Sequence, residues 1–97
     1  MRSSTVYRAL LSEILRGKVA LFGDVALRRA RAIPGLQVRD DGEVLGLGGD
    51  GFEQLEQVLQ TFERLSGKAS NISARGAVHR LQLRERYPDL ELPAALQ

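Results

Sequence analysis

The sequence predicts an α+β fold in which two helical pairs flank a central β-hairpin within a single compact domain. Three observations lead to this prediction. Asp41-Gly42 is a strong hairpin-turn signal between two short apolar segments. Apolar residues recur at helical spacing on both sides of that turn. The length of 97 residues suits one domain with a modest core.

Two helices are predicted before the hairpin. Apolar residues at i, i+3 and i+4 indicate a helix over residues 5–16, and Gly17 is expected to end it. A second helix is expected over residues 18–33, because the residue before Pro34 avoids the helical conformation.

The tetrapeptide pattern L-x-G-K occurs twice, at residues 15–18 and 65–68, each time after an apolar-striped helix. Both copies are expected to end a helix. Two explanations stay open: duplication of a helical pair, or the common use of glycine followed by a cation at helix ends.

The hairpin is expected over residues 35–47. A two-residue turn at Asp41-Gly42 places alternate apolar residues on one side of both strands, because directly opposed residues share a face. The residues of this expected apolar face are Leu36, Val38, Leu45 and Leu47. Two strands alone are marginal in water, so the face needs a helix layer or a partner sheet.

A three-residue loop is the alternative to this register. It puts Arg39 opposite Glu43 but splits the leucines between the two faces. One surface ion pair stabilises less than a dispersed apolar face loses, which favours the two-residue turn.

The clearest helix is predicted over residues 51–66, with Asp50 as its cap and Gly67 at its end. Another helix is expected over residues 71–87. The last segment, residues 88–97, is predicted to be an extended tail with enough leucine to dock on the domain.

Charge is distributed unevenly along the chain. Residues 1–39 carry a net charge of +6, residues 40–63 carry −7, and residues 64–97 carry +3. An acidic centre between basic flanks can be neutralised within the fold, can pair with a second copy, or can leave a basic face exposed.

The sequence lacks the groups that most enzymes and metal sites use. It has no cysteine, and His79 is its only histidine. Residues 46–51 match G-x-G-x-x-G, but Asp50 would repel a phosphate there and no acidic residue follows at the expected spacing. We therefore expect no catalytic residue, no metal, no cofactor and no small-molecule substrate. No apolar run approaches the roughly 20 residues of a membrane span, and no leader is visible, so a cytoplasmic location is expected.

The leading functional hypothesis is a non-enzymatic, regulatory protein–protein interaction module that is homodimeric. Its expected interaction surface is the apolar face of the hairpin, because strand edges with an apolar face invite pairing. Nucleic acid and a different protein are the other partners that the sequence allows.

The alternative hypothesis is a small nucleic-acid-binding protein. Residues 71–80, NISARGAVHR, resemble the recognition helix of helix-turn-helix proteins, although residues 67–70 are long for the tight turn of that motif. The resemblance implies DNA contacts from a basic C-terminal helix. The candidate contact residues are Arg75, Arg80 and Arg84, with Arg28 and Arg29 from the second helix.

Overall fold

Five helices, one short 3-10 turn and a two-stranded antiparallel sheet make up the computed structural model, which describes residues 1–97. The α+β class is therefore confirmed. The elements in chain order are α1 (Ser4–Phe22), α2 (Asp24–Arg31), β1 (Gln37–Val38), β2 (Val44–Gly46), α3 (Gly51–Ser66), α4 (Ser70–Arg80), α5 (Leu83–Arg86) and the 3-10 turn Ala94–Leu96.

Helix α1 is the hub of the core. It packs against α2, α3, α4 and β2, and Leu10, Leu11 and Leu15 are completely buried along its length. The buried apolar residues form one continuous cluster that draws on every helix and on both strands. None of the helices combines the length and apolar composition needed to cross a lipid bilayer.

The predicted helix end at Gly17 is wrong, because α1 continues to Phe22. Lys18 is buried, and Val19 and Phe22 pack against the core. This burial outweighs the cost of about 1 kcal/mol for a glycine inside a helix. The break falls at Gly23, which has φ of +61° and donates its N–H to Val19.

Lys18 is a buried cation without a carboxylate partner. Its exposed fraction is only 4%, and its Nζ donates to the Ser70 carbonyl and to Ser73 Oγ, each at 2.9 Å. The same Nζ lies 5.6 Å from the centroid of the Phe62 ring. Burial lowers the pKa of the Lys18 ammonium below its ordinary value, because the charged form loses hydration.

The hairpin adopts the three-residue loop, so the register predicted from a two-residue turn is wrong. Arg39 donates its N–H to the Glu43 carbonyl at 2.8 Å, and the two side chains form an ion pair at 3.1 Å. Gly42 occupies the left-handed position of the loop with φ of +96°. Asp41 Oδ1 accepts the Glu43 N–H at 2.9 Å, which lowers the pKa of the Asp41 carboxyl.

A β-bulge follows from this loop. Val38 pairs with Val44 and Gln37 pairs with Gly46, so Leu45 has no partner on β1. Val38 and Val44 share the buried face, whereas Leu45 is 52% exposed. The apolar face therefore contains Val44 in the place predicted for Leu45.

The predicted helix over residues 71–87 is two helices, α4 and α5. Gln82 lies between them in the left-handed conformation, with φ of 53°. In a continuous helix, Leu83 would not lie on the same face as the apolar residues of α4. The break at Gln82 changes the direction of the chain, so that Leu83 enters the core, where it is 3% exposed.

The C-terminal tail docks on the N-terminal end of α1. Tyr7 donates its hydroxyl to the Glu91 carbonyl at 2.6 Å, and Arg2 forms an ion pair with the Glu91 carboxylate. Leu90 and Leu96 are buried. The tail is therefore part of the folded domain.

Replacing Gly17 by alanine is expected to stabilise the protein by about 0.5–1 kcal/mol. The position is exposed within α1, and an added Cβ meets nothing within 4 Å. Urea unfolding measures the change in free energy. A loss of stability in Gly17→Ala would contradict the continuous helix.

Replacing Gly42 by alanine is expected to destabilise the protein by about 1–3 kcal/mol. Its positive φ disfavours a side chain, and an added Cβ would lie 2.9 Å from the Arg16 nitrogen. Gly49→Ala is the matched control, because nothing lies within 4 Å of its Cβ. Equal stability of the two variants in urea unfolding would show that this close approach is absent.

The stability difference between the wild type and Lys18→Met is expected to depend on pH. Between the lowered pKa of folded Lys18 and the ordinary lysine pKa of 10.5, the unfolded chain binds more protons than the folded chain. Wild-type stability should therefore rise, relative to the variant, as pH increases through that window. Urea unfolding at several pH values measures this difference, and parallel curves would exclude a buried, unpaired ammonium.

Candidate functional site

A groove runs along the exposed side of α1, between strand β2 and the C-terminal end of α4. Its volume is about 460 Å³. The lining residues are Thr5, Arg8, Ala9, Ser12, Arg16, Glu43, Val44, Leu45 and Leu81. A smaller hollow of about 140 Å³ adjoins it, sharing Thr5 and Arg8 and adding Ser4 and Leu47.

Strand β2 is attached to α1 through the hydroxyl of Ser12. Ser12 Oγ accepts the backbone N–H of Val44 at 2.9 Å and donates to the Arg8 carbonyl at 2.9 Å. The contact is buried, so it satisfies a backbone donor that water does not reach. It places the bulged residue Leu45 at one wall of the groove.

The groove has an apolar strip. Leu45 is 52% exposed, Leu81 is half-buried, and Ala9 is exposed on α1, while the half-buried Leu47 lines the adjoining hollow. Exposed apolar surface that is concave and rimmed by polar residues is typical of protein-binding sites.

The charges at the groove rim differ in how they are paired. Glu13 binds Arg80 at 2.9 Å and Arg16 at 3.2 Å, and these hydrogen bonds, that of Arg80 first, lower the pKa of the Glu13 carboxyl. Glu43 is paired with Arg39. Arg8 is exposed and forms no ion pair within the chain. A free cation therefore remains at the junction of the two hollows.

The four residues of the expected interaction surface are separated by the structure. Leu36 and Val38 are buried in the core, and Leu47 is half-buried against it. Only Leu45 is largely exposed. The hairpin does not present these residues together as one accessible face.

The basic residues of the C-terminal helices are used within the fold. Arg75 donates to the Ala95 carbonyl at 3.0 Å, and Arg84 donates to the Leu96 carbonyl at 2.8 Å. Arg80 is bound to Glu13. All three remain at the surface, but each holds one part of the chain against another.

Arg28 and Arg29 are exposed on α2 and form no ion pair. Helix α2 packs on α1, α3 and β1, whereas α4 packs on α1, α3, α5 and the C-terminal turn. The five candidate nucleic-acid contacts therefore lie on three different helices, α2, α4 and α5.

The glycines of residues 46–51, before and at the start of α3, include positions that are packed closely against other parts of the chain. An added Cβ at Gly35 would lie 2.7 Å from Gly48 Cα, and one at Gly51 would lie 2.8 Å from the Tyr7 ring. Asp50 accepts the Phe52 N–H at 3.0 Å and pairs with Arg2. The helix end that a phosphate would need therefore carries a carboxylate.

The residues that sequence reasoning missed are Arg8, Ala9, Ser12 and Leu81 at the groove, and Lys18 in the core. The exposed residues Thr5, Arg8, Ala9 and Arg16 follow helical spacing, which was a visible signal of one face of α1. The approach of Leu81 and Leu45 to that face depends on tertiary packing.

The structure contains no cluster of three or more His, Asp or Glu side chains that could hold a metal ion. What the groove offers chemically is an apolar strip beside a free guanidinium. Comparison with known proteins adds no assignment: no family model, no curated protein and no solved structure matches this chain.

Proposed function

We propose that this protein is a non-enzymatic protein–protein interaction module, cytoplasmic and homodimeric, with a regulatory or adaptor role. It binds an amphipathic segment of a partner protein in the groove between α1 and β2. The observation that carries the proposal is Leu45, a large apolar residue that has no partner on β1 and is half exposed at a concave, polar-rimmed surface.

The bulge supports a binding role because it costs pairing within a very short sheet. It leaves Leu45 without a partner on β1, and Leu45 is also the exposed residue of the strand. Bulges that re-aim a side chain are common next to functional sites.

The chemistry of the groove indicates the kind of segment that it binds. Leu45, Leu81 and Ala9 suit one or two apolar side chains. Arg8 suits a carboxylate, because it has no acidic partner of its own. An amphipathic helix with apolar anchors at i and i+3 or i+4 and an acidic residue beside them meets both requirements.

The expected grouping of helices into one pair before the hairpin and one after it belongs to the same proposal. The packing of α1 on α2 and of α3 on α4 supports it.

Nucleic-acid binding is the less favoured function, because Arg75, Arg80 and Arg84 already bind groups within the chain.

Selection from a displayed random-peptide library tests the groove. Enriched peptides should combine apolar residues with Asp or Glu. Leu45→Glu and Arg8→Glu should each raise the Kd of such a peptide by about tenfold or more, because the first buries a charge in the interface and the second reverses the only free cation that lines the groove. Isothermal titration measures the Kd, and amide chemical shifts should change at residues 5–16 and 44–47.

Leu21→Glu and Arg28→Glu are matched controls. Leu21 is 73% exposed and Arg28 is free, but neither lines the groove. Both variants should bind peptide as the wild type does. Selected peptides that are indifferent to Leu45 and Arg8, or a DNA affinity that falls steeply with salt and with Arg80→Ala plus Arg84→Ala, would overturn the proposal.

A further inference from the structure

The outer face of α3 carries a narrow crest of four exposed polar residues. They are Glu53, Gln57, Gln60 and Arg64, and apart from the terminal Ser66 they are the only residues of α3 that are exposed rather than half-buried or buried. Their spacings of four, three and four residues place them on one side of the helix.

The crest has an unusual symmetry. Residues 53 and 64 are equally distant from the midpoint of the crest, and so are residues 57 and 60. If a second copy of α3 lies antiparallel across this face, position 53 meets position 64 of the other copy and position 57 meets position 60. Glutamate then opposes arginine twice, and glutamine opposes glutamine twice. Such a surface is complementary to itself, as a two-fold interface requires.

The charges of the crest are free to take part in such an interface. Most of the acidic centre is already neutralised within the chain. Its paired acids are Asp40, Asp41, Glu43 and Asp50, each bound to an arginine. Glu63 accepts a hydrogen bond from Asn71. Glu53 and Arg64 form no ion pair within the chain, so both charges are available to a partner outside it.

We propose that α3 is the homodimer interface of this protein, with Glu53 of each copy paired to the partner's Arg64 and Gln57 paired to the partner's Gln60. The inference rests on the proposed function, whose homodimer it locates, but it concerns a different surface from the peptide groove.

Apolar surface beside the crest adds to the contact. A groove of about 300 Å³ separates α3 from the end of α2, and exposed Ala32 and Pro34 line it next to Gln57 and Arg64. A two-fold axis perpendicular to both helices keeps this flank on the same side in both copies. The apolar residues of one copy therefore lie beside those of the other.

Charge-reversal variants test the interface by sedimentation equilibrium at low salt. Glu53→Arg alone and Arg64→Glu alone each turn two attractions into two repulsions, so each should weaken self-association by about tenfold or more. An equimolar mixture of the two variants should restore association as a heterodimer. The double variant Glu53→Arg/Arg64→Glu should restore the homodimer.

Further variants separate this interface from general charge effects and from misfolding. Glu85→Arg and Arg28→Glu change exposed charges elsewhere and should associate as the wild type does. Glu53→Gln and Arg64→Gln remove charge without reversing it, and they should weaken association less than the reversals. Circular dichroism checks that every variant keeps its helices. Raising salt from about 50 mM to 500 mM should weaken the wild-type dimer.

Two results would overturn the interface. A wild type that stays monomeric up to about 1 mM has no such dimer. Single variants that associate as tightly as the wild type place the dimer on another surface. Peptide binding in Glu53→Arg separates the two proposals: retained binding with lost association leaves the groove intact, and lost association in Leu45→Glu would show that the dimer uses the groove instead.

Discussion

The attachment of the hairpin to α1 is the constraint on which the rest of the molecule depends. Ser12 Oγ accepts the buried N–H of Val44, and Gly42 approaches the backbone at Leu15 and Arg16 so closely that a side chain would collide. An unsatisfied buried N–H would cost about 1–3 kcal/mol, so the strand has little freedom to slide along the helix. Because Val44 is buried against α1, the next residue, Leu45, lies on the opposite side of the strand and is exposed.

The second determinant is the length of α1, which passes through Gly17 because its C-terminal turns are covered by α3 and α4. Lys18 contributes a charge to that covered region, where carbonyl and hydroxyl oxygens replace the water that it loses. The surface then divides between two faces with different chemistry. On the α1 side an apolar strip lies beside a free arginine, and the outer face of α3 is polar with one charge of each sign. The two proposed interfaces therefore lie on different helices of the molecule.

Capping residues and glycines in the sequence predicted those helix ends that depend only on neighbouring residues. Helix α3 runs from Gly51 to Ser66, as its cap at Asp50 and the glycine at position 67 indicate. The same L-x-G-K pattern ends a helix at Gly67 but not at Gly17, and the difference lies in the burial of Lys18, which only the folded chain reveals. The hairpin register was wrong for a similar reason, since Val44 is buried and bonded to Ser12 of α1, a contact between distant residues that local signals do not reveal. Leu45 was predicted to share an apolar interaction face with Leu36, Val38 and Leu47, in a register that the structure does not adopt. Arg8 and Leu81 join Leu45 at the groove only through packing.

The bulge at Leu45 also makes this stretch of chain sensitive to length. Side chains alternate between the two faces of a strand, so removing or adding one residue between positions 43 and 47 would exchange inward and outward positions beyond that point. Deleting one residue there would remove the bulge and send a neighbour of Leu45 to the surface in its place. Substitutions at the same positions alter one side chain and leave the others where they are. In sequences that share this architecture, insertions and deletions should therefore be rarer in β2 than in the loop after α3. Adding or removing one residue in that loop does not shift a paired strand.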